Sequence, residues 1–289
     1  MAIAHAANAP FEQITIRPVA GALGAEVEGV DLSADLDDRT FDEIHQVLLD
    51  HHVLFFHDQN LTPQQHSAFA SRFGPLNRHP YVAPLTGTPD VFAIVKEPED
   101  RHHFGNGWHT DLSYAKKPAM GAMLYGVEIP PHGGDTLFTN LHLAYDTLSD
   151  GMKDMLEGLT AVFSNARTYG PDAQRFKDGV TAMSVAQQAE ISRVEHPMVR
   201  THPETGRKSL FVNELHTVGI KDMTDEESQP ILAYLNAHMT KPEFTCRFRW
   251  RRGSLAFWDN RCTAHYAISD FEGMRRVMHR VTIEGERPF

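Results

Sequence analysis

The sequence predicts a single, mainly β domain with helices at its flanks, spanning residues 1–289. Three observations carry this reading. From Asp90 onward, short β-branched and apolar runs are broken by Gly, Pro and Asp, as in a chain of short strands. Helical periodicity is confined to a few stretches, near residues 40–74, 144–159 and 225–238. No internal repeat, low-complexity tract or linker divides the chain, and 41% hydrophobic content over 289 residues suffices for one large core.

In chain order, the first helix is expected from Thr40, where Phe41, Ile44, Val47 and Leu48 recur at helical spacing. Val53 to Phe56 reads as a buried strand. Thr62-Pro63-Gln64-Gln65 is a helix start, a capping hydroxyl followed by proline at the first helical position. That helix carries Phe69 and Phe73 on one face and is expected to end at Gly74. Strands are expected at Val91–Val95, Met120–Val127 and Thr136–Thr139, then two helices around Ala144–Leu159 and irregular chain to about Glu195. His196–Arg200 and Ser209–Val212 flank Pro203-Glu204-Thr205-Gly206, a hairpin turn. Asp225–His238 reads as an amphipathic helix, and Phe244–Trp250, Ser254–Trp258 and Arg276–Ile283 as closing strands.

Composition narrows the partners. A net charge of −11 with no long Lys/Arg run argues against nucleic acid, whose phosphates call for a basic face. No apolar run approaches the ~20 residues that span a bilayer. Cys246 and Cys262 are too few for a disulfide framework, and residues 1–10 lack the pattern of a secretory signal. The expectation is a cytoplasmic protein without membrane or nucleic-acid partners. Eighteen histidines tempt one to see metal sites everywhere. Most, including His51-His52 and His238, read as ordinary polar or helix-end residues.

A catalytic iron that must also bind a co-substrate and dioxygen needs few protein ligands. Two histidines and one carboxylate on one face leave positions open, the arrangement of non-haem Fe(II) oxygenases. His-x-Asp/Glu is half of that signal, because on a strand residues i and i+2 point to one side. Two places match: His109-Thr110-Asp111, and His202-Pro203-Glu204 in the expected turn, which reads as an exposed structural bend. Thr136 follows Asp111 with 24 residues between them (136 − 111 − 1), His265 lies far downstream, and Arg276 and Arg280 stand 11 and 15 positions beyond it. Residues four apart on a strand share a face, so both guanidiniums point into one cavity. Arginine suits a carboxylate or sulfonate because its planar fork binds two oxygens at once.

These five positions resemble the taurine dioxygenase family of Fe(II)/2-oxoglutarate-dependent oxygenases: His-x-Asp, a threonine some two dozen residues on, then a distant histidine with an arginine eleven beyond. Gly-Trp-His-Thr-Asp at 107–111, Gly-Gly-Asp-Thr at 133–136, Val-Arg-Thr-His-Pro at 199–203, Phe-Val-Asn-Glu at 211–214 and Trp-Asp-Asn-Arg at 258–261 extend the likeness from about residue 14 onward. The resemblance implies a double-stranded β-helix (jelly-roll) core and, at family level, a homo-oligomer. It implies Fe(II) held by His109, Asp111 and His265, with 2-oxoglutarate and O2 as co-substrates. Thr136 and Arg276 would grip the distal carboxylate of 2-oxoglutarate. His79 and Arg280 would hold the substrate's anionic group, Phe211 would line the pocket, and Trp108 and Trp258 would support packing. The implied reaction hydroxylates the carbon beside a sulfonate of taurine or a related alkylsulfonate, giving aldehyde, sulfite, succinate and CO2.

Some taurine contacts are altered: Val82, with Tyr81 beside it, replaces a tyrosine, and Gly105 replaces an asparagine. An alkyl sulfate ester or an aryloxyalkanoate is therefore the alternative substrate. Two readings from other classes stand beside these. A zinc hydrolase also fits His2Asp with an open position, and a metal-stabilised barrel that binds small anions needs no catalysis.

Overall fold

The computed structural model describes residues 11–79, 82–100, 105–170 and 191–289. Its largest sheet runs in the order β1 (Thr15–Pro18), β2 (Ala25–Glu28), β3 (Val53–Phe56), β14 (Leu255–Asp259), β6 (Gly121–Glu128), β16 (Arg276–Ile283) and β4 (Leu76–Asn77), with β5 (Val91–Lys96) also paired to β16. A smaller antiparallel sheet, β13 (Thr245–Phe248), β7 (Thr136–Asn140) and β15 (Thr263–Ala267), packs on one of its faces. A third sheet, β12 (Thr217–Ile220), β8 (Thr160–Ser164) and β9 (Arg193–Pro197), and the hairpin of β10 (Val199–Thr201) with β11 (Lys208–Leu210) complete the strands.

The central strands are buried on both faces, which is why they read as continuous apolar runs rather than alternating ones. The period of two nevertheless sorts their side chains. From β3, Val53 and Phe55 enter the core between the two sheets while Leu54 and Phe56 face the helices. From β14, Ala256 and Trp258 go inward and Leu255 and Phe257 outward. The inter-sheet core is sealed by aromatics, with Phe55 stacked on Phe248 at 4.1 Å and set against Phe138 at 5.9 Å. On β16, Arg276 and Arg280 fall on the same side as Met278, and Met278 lies in that inter-sheet core. Two cations are thereby directed into the space between the sheets.

The outer face is covered by α1 (Asp38–His51) and α2 (Pro63–Ser71). Asp37 caps α1 by accepting from the Thr40 N–H at 2.7 Å. Thr62 caps α2 in a reciprocal box with Gln65, and Pro63 supplies the first helical φ. A separate core joins α3 (Leu141–Asp146), α4 (Asp150–Glu157) and α6 (Asp225–Met239) to the third sheet and the hairpin. Between β8 and β9 lies the short α5 (Ala166–Tyr169).

The architecture is mainly β with flanking helices, and several expectations need correcting. The stretch expected to be irregular contains β8, α5 and β9. The α2 helix ends at Ser71, before Gly74. The hairpin at 203–206 is present, but His196 belongs to β9, which pairs with β8, not with the hairpin. His202 is buried at 1% exposure rather than lying in an exposed bend, because its Nε2 and Asp259 Oδ2 approach to 3.0 Å. His52 is likewise buried at 3%.

Candidate active site

His109, Asp111 and His265 each offer a ligand atom within 4.8 Å of the others, and all three are buried. The strand argument for His-x-Asp holds only in part. His109 forms an isolated bridge with His265 of β15, the two residues exchanging N–H···O bonds of 3.0 and 2.9 Å, while Asp111 already lies in a turn, next to Leu112 at φ +51°. Asp111 is held instead by the end of β14 and the turn that follows it. Its N–H donates to Asn260 Oδ1, its carbonyl accepts from Asn260 Nδ2, both at 2.9 Å, and Trp258 Nε1 donates to Asp111 Oδ2 at 3.1 Å. Asp111 Oδ1 sits 3.8 Å from Nε2 of both histidines.

The electrostatics fit a divalent metal. Burial keeps both imidazoles below their ordinary pKa, His265 most strongly, so each is neutral with a lone pair to give. His109 Nδ1 lies 2.8 Å from the Gly107 carbonyl, which fixes the proton there and leaves Nε2 as the donor atom. Burial alone would raise the Asp111 carboxyl, but the Arg280 guanidinium beside it outweighs that and holds the group ionised. Two neutral imidazoles and one carboxylate are an oxygenase donor set, and equally an open zinc set.

The surroundings separate those two. A cavity between the sheets shares His109, His265 and Arg280 with this cluster and is also lined by Thr136, Trp250 and Arg276. Arg276 is 5% exposed, and its Nε and Nη2 have no partner among the described residues. Its guanidinium lies 5.7 Å over Trp250 and 5.6 Å over Phe271. Burial lowers its pKa to about 10, with Asp135 opposing, so it is still a cation at neutral pH. Trp250 Nε1 donates to Thr136 Oγ1 at 2.9 Å, leaving the hydroxyl hydrogen free to turn toward a ligand. A buried cation with unsatisfied donors calls for an anion. A zinc hydrolase has no use for that cradle; a dicarboxylate co-substrate does.

On the other side of the cluster, a second cavity is lined by His79, Gly105, Leu112, Tyr114, Tyr169, Leu215, His216 and Arg280, among others. His79 packs on Phe92 at 5.0 Å. Arg280 Nη2 lies 2.6 Å from Asp111 Oδ2, so the arginine expected at the substrate also touches the expected metal ligand. Gly105 has φ +88°, and a Cβ there would stand 3.4 Å from the His109 ring; glycine keeps this wall flat beside the metal cluster. Phe211 is not on either wall: it is fully buried in the helical core, 5.2 Å from Phe163 and 5.7 Å from His196. Val82 is buried without lining either cavity, and Tyr81 lies outside the described residues. Sequence reasoning missed Tyr169 and His216, which stand in or beside short elements with no periodic signal. His216 is locked in place, its Nδ1 3.0 Å from Ser113 Oγ and its N–H donating to Asn213 Oδ1 at 2.8 Å.

Comparison with known proteins places the chain in a family. The profile of the taurine catabolism dioxygenase TauD, TfdA family matches residues 15–282. An alkylsulfatase of Acinetobacter baylyi is 36% identical over 279 residues, 96% of this chain and 87% of that protein. Among solved structures, a taurine dioxygenase from Burkholderia xenovorans is 37% identical with a TM-score of 0.81, covering 96% of this chain and 93% of that one. AAD-2 in complex with Mn(II) and N-oxalylglycine is 30% identical with a TM-score of 0.76, covering 95% and 98%. The chain belongs to the TauD/TfdA family and is a 2-oxoglutarate-dependent dioxygenase.

Proposed function

We propose that this enzyme hydroxylates an organic sulfate ester or sulfonate with an apolar chain, at the carbon beside the anionic group. The observation that carries the oxygenase assignment of the site is Arg276, a buried guanidinium with two unsatisfied N–H donors on a wall shared with His109, His265 and Thr136. In this reading His109, Asp111 and His265 hold Fe(II), and Thr136 and Arg276 bind the distal carboxylate of 2-oxoglutarate. The bound iron, with 2-oxoglutarate and O2, supplies the oxidising chemistry and yields succinate and CO2. The jelly-roll reading of the fold rests on the two facing sheets that enclose these groups.

The protein's own residues orient and exclude. Arg280 and His79 hold the substrate's anion, so that one carbon faces the metal cluster. Leu112, Leu215 and Tyr114 line the same cavity and exclude water around the chain. Asp111 is the only acidic side chain among the described residues lining that cavity, and it is committed to the metal cluster. An ammonium group such as that of taurine finds no counter-charge there, whereas an alkyl chain finds apolar walls. Hydroxylation of a C–O–sulfate carbon leaves a hemiacetal-type adduct that expels hydrogen sulfate and forms an aldehyde; a sulfonate expels sulfite in the same way.

The test is succinate formation with taurine, hexanesulfonate and hexyl sulfate, together with sulfite, sulfate and aldehyde release. Hexyl compounds should be turned over with kcat/KM at least tenfold above taurine. Taurine matching or exceeding both would refute the apolar-chain assignment, and product formation without O2 or 2-oxoglutarate would refute the site assignment as a whole.

A further inference from the structure

The turn between β14 and β15 serves the active site on one side and a second cluster of metal-type donors on the other. His52, at the C-terminal end of α1, His142, in the first turn of α3, and Cys262, in that turn, each place one ligand atom within 4.8 Å of the others. They are 3%, 1% and 1% exposed. His52 Nδ1 and His142 Nε2 are buried with no hydrogen-bond partner among the described residues. Such orphaned nitrogens are costly in a closed interior unless something is there to use them.

The local geometry is prepared for a ligand in three ways. First, His142 Nδ1 lies 2.7 Å from the Lys208 carbonyl, which places the ring proton on Nδ1 and leaves Nε2 as a bare lone pair, the usual outer support of a metal-bound histidine. Second, His52 adopts φ +67°, a left-handed conformation that a residue with a Cβ takes at some cost. It is pinned there on both sides: its N–H donates to the Leu48 carbonyl at 2.7 Å and its carbonyl accepts from the Asp259 N–H at 2.9 Å. Third, the Leu141 N–H donates to the Cys262 carbonyl at 2.9 Å, tying α3 to the turn. Three segments remote in sequence are thus joined by backbone bonds around one point.

A neighbouring set, His202 with Asp259 and Cys262, also falls within 4.8 Å, but its histidine is already spent. His202 Nδ1 accepts from the Glu204 and Thr205 N–H groups at 3.3 and 3.2 Å, and its Nε2 faces Asp259 Oδ2 at 3.0 Å. Asp259 is further engaged by Arg261 through Nε at 2.9 Å and Nη2 at 2.7 Å. In the first set His52 Nδ1 and His142 Nε2 stay unpartnered, and the Cys262 thiol donates to the Asp259 carbonyl at 3.8 Å, which leaves its sulfur lone pairs available.

We propose that His52, His142 and Cys262 form a second, structural metal site for a thiophilic d10 ion, copper(I) or zinc(II). Soft thiolate with two imidazoles selects these ions over Fe(II) or Mg(II). Copper(I) with one thiolate and two neutral imidazoles makes a site without net charge, whereas zinc(II) leaves one positive charge, since the nearby Asp259 carboxylate is already paired with Arg261. Binding exchanges the Cys262 S–H bond for a sulfur–metal bond, the proton passing to solvent, and no electron is transferred. The ion would staple the ends of α1 and α3 to the turn whose Asn260 holds the Asp111 backbone.

The metal-free protein is loaded in separate arms with Zn(II) and, anaerobically, with Cu(I), and its metal content and X-ray absorption spectrum are measured. The catalytic cluster contains no sulfur, so a sulfur neighbour at about 2.3 Å reports a site at Cys262, and two imidazole neighbours beside that sulfur distinguish the proposed set from the one built on His202 and Asp259. The proposal expects such a neighbour in at least one arm. It also expects one equivalent of that metal to be lost, with the sulfur signal, in Cys262→Ala that still develops the anaerobic Fe(II)/2-oxoglutarate colour. The arm with the sulfur signal identifies the ion. No sulfur neighbour in either arm, or undiminished metal content in a folded Cys262→Ala, overturns it. If that variant does not fold, the wild-type spectrum alone decides.

Discussion

Arg276 and Arg280 lie four residues apart on one strand yet meet different surroundings. Arg276 is flanked by Trp250 and Phe271 with unsatisfied donors, while Arg280 touches Asp111 and borders both cavities. Truncating one partner of a buried charge pair costs about 2–5 kcal/mol. Arg276→Ala should therefore raise the KM for 2-oxoglutarate about 30-fold or more. Arg280→Ala should raise the KM for the sulfur substrate and leave that for 2-oxoglutarate within about threefold. Steady-state kinetics on both variants decides, and the same defect in each would refute the division. Trp258 acts one step further out. Trp258→Phe keeps the ring packed but deletes the N–H that donates to Asp111 Oδ2. Loss of such an outer support typically costs about 10–100-fold in metal affinity, which an anaerobic Fe(II) titration would read as a shift in the midpoint, and an unchanged midpoint would count against it.

Among the elements, those that announce themselves carry their own chemistry. Thr62-Pro63-Gln64-Gln65 wrote the start of α2 into the sequence, and the capping box is there. Thr62→Ala should lower stability by about 1 kcal/mol in urea unfolding, and a change below about 0.3 kcal/mol would show the cap to be idle. The strands β3 and β14 were legible because burial on both faces leaves a continuous apolar run. The strand β15, Thr-Ala-His-Tyr-Ala, was not: it borders the metal cluster, so its side chains follow the site rather than any periodic rule. The β8 and β12 strands are only five and four residues long and pair across more than fifty positions, a distance local patterns do not span. The same contrast holds in the site. The structure brings together His109, Asp111, Thr136, His265 and Arg276, the positions that the family resemblance marks, whereas Tyr169 and His216 come from segments that only tertiary folding brings to the cavity. Phe211 shows the opposite error, a motif position whose side chain the helical core has taken.

Across the whole molecule, burial of imidazoles sets the response to acid. His66 and His216 are held neutral inside, burial lowering each from 6.5 to about 3. The unfolded chain takes up their protons first, so stability is whole above about pH 6.5 and is lost as pH falls toward the folded values. Each group contributes up to about 1.4 kcal/mol per pH unit in that window. Denaturant unfolding should show stability dropping between pH 6.5 and 5, before most carboxylates titrate; a flat profile there would refute the assignment. A last consequence follows from the unquenched guanidinium of Arg276. A fold that carries such an electrostatic debt at its centre rests more easily when an anion settles it. Ligand at a hundred times its dissociation constant adds about 2.7 kcal/mol. The abundance of 2-oxoglutarate would then govern how long each molecule survives as well as how fast it works, making the nutrient state of the cell a determinant of the enzyme's lifetime.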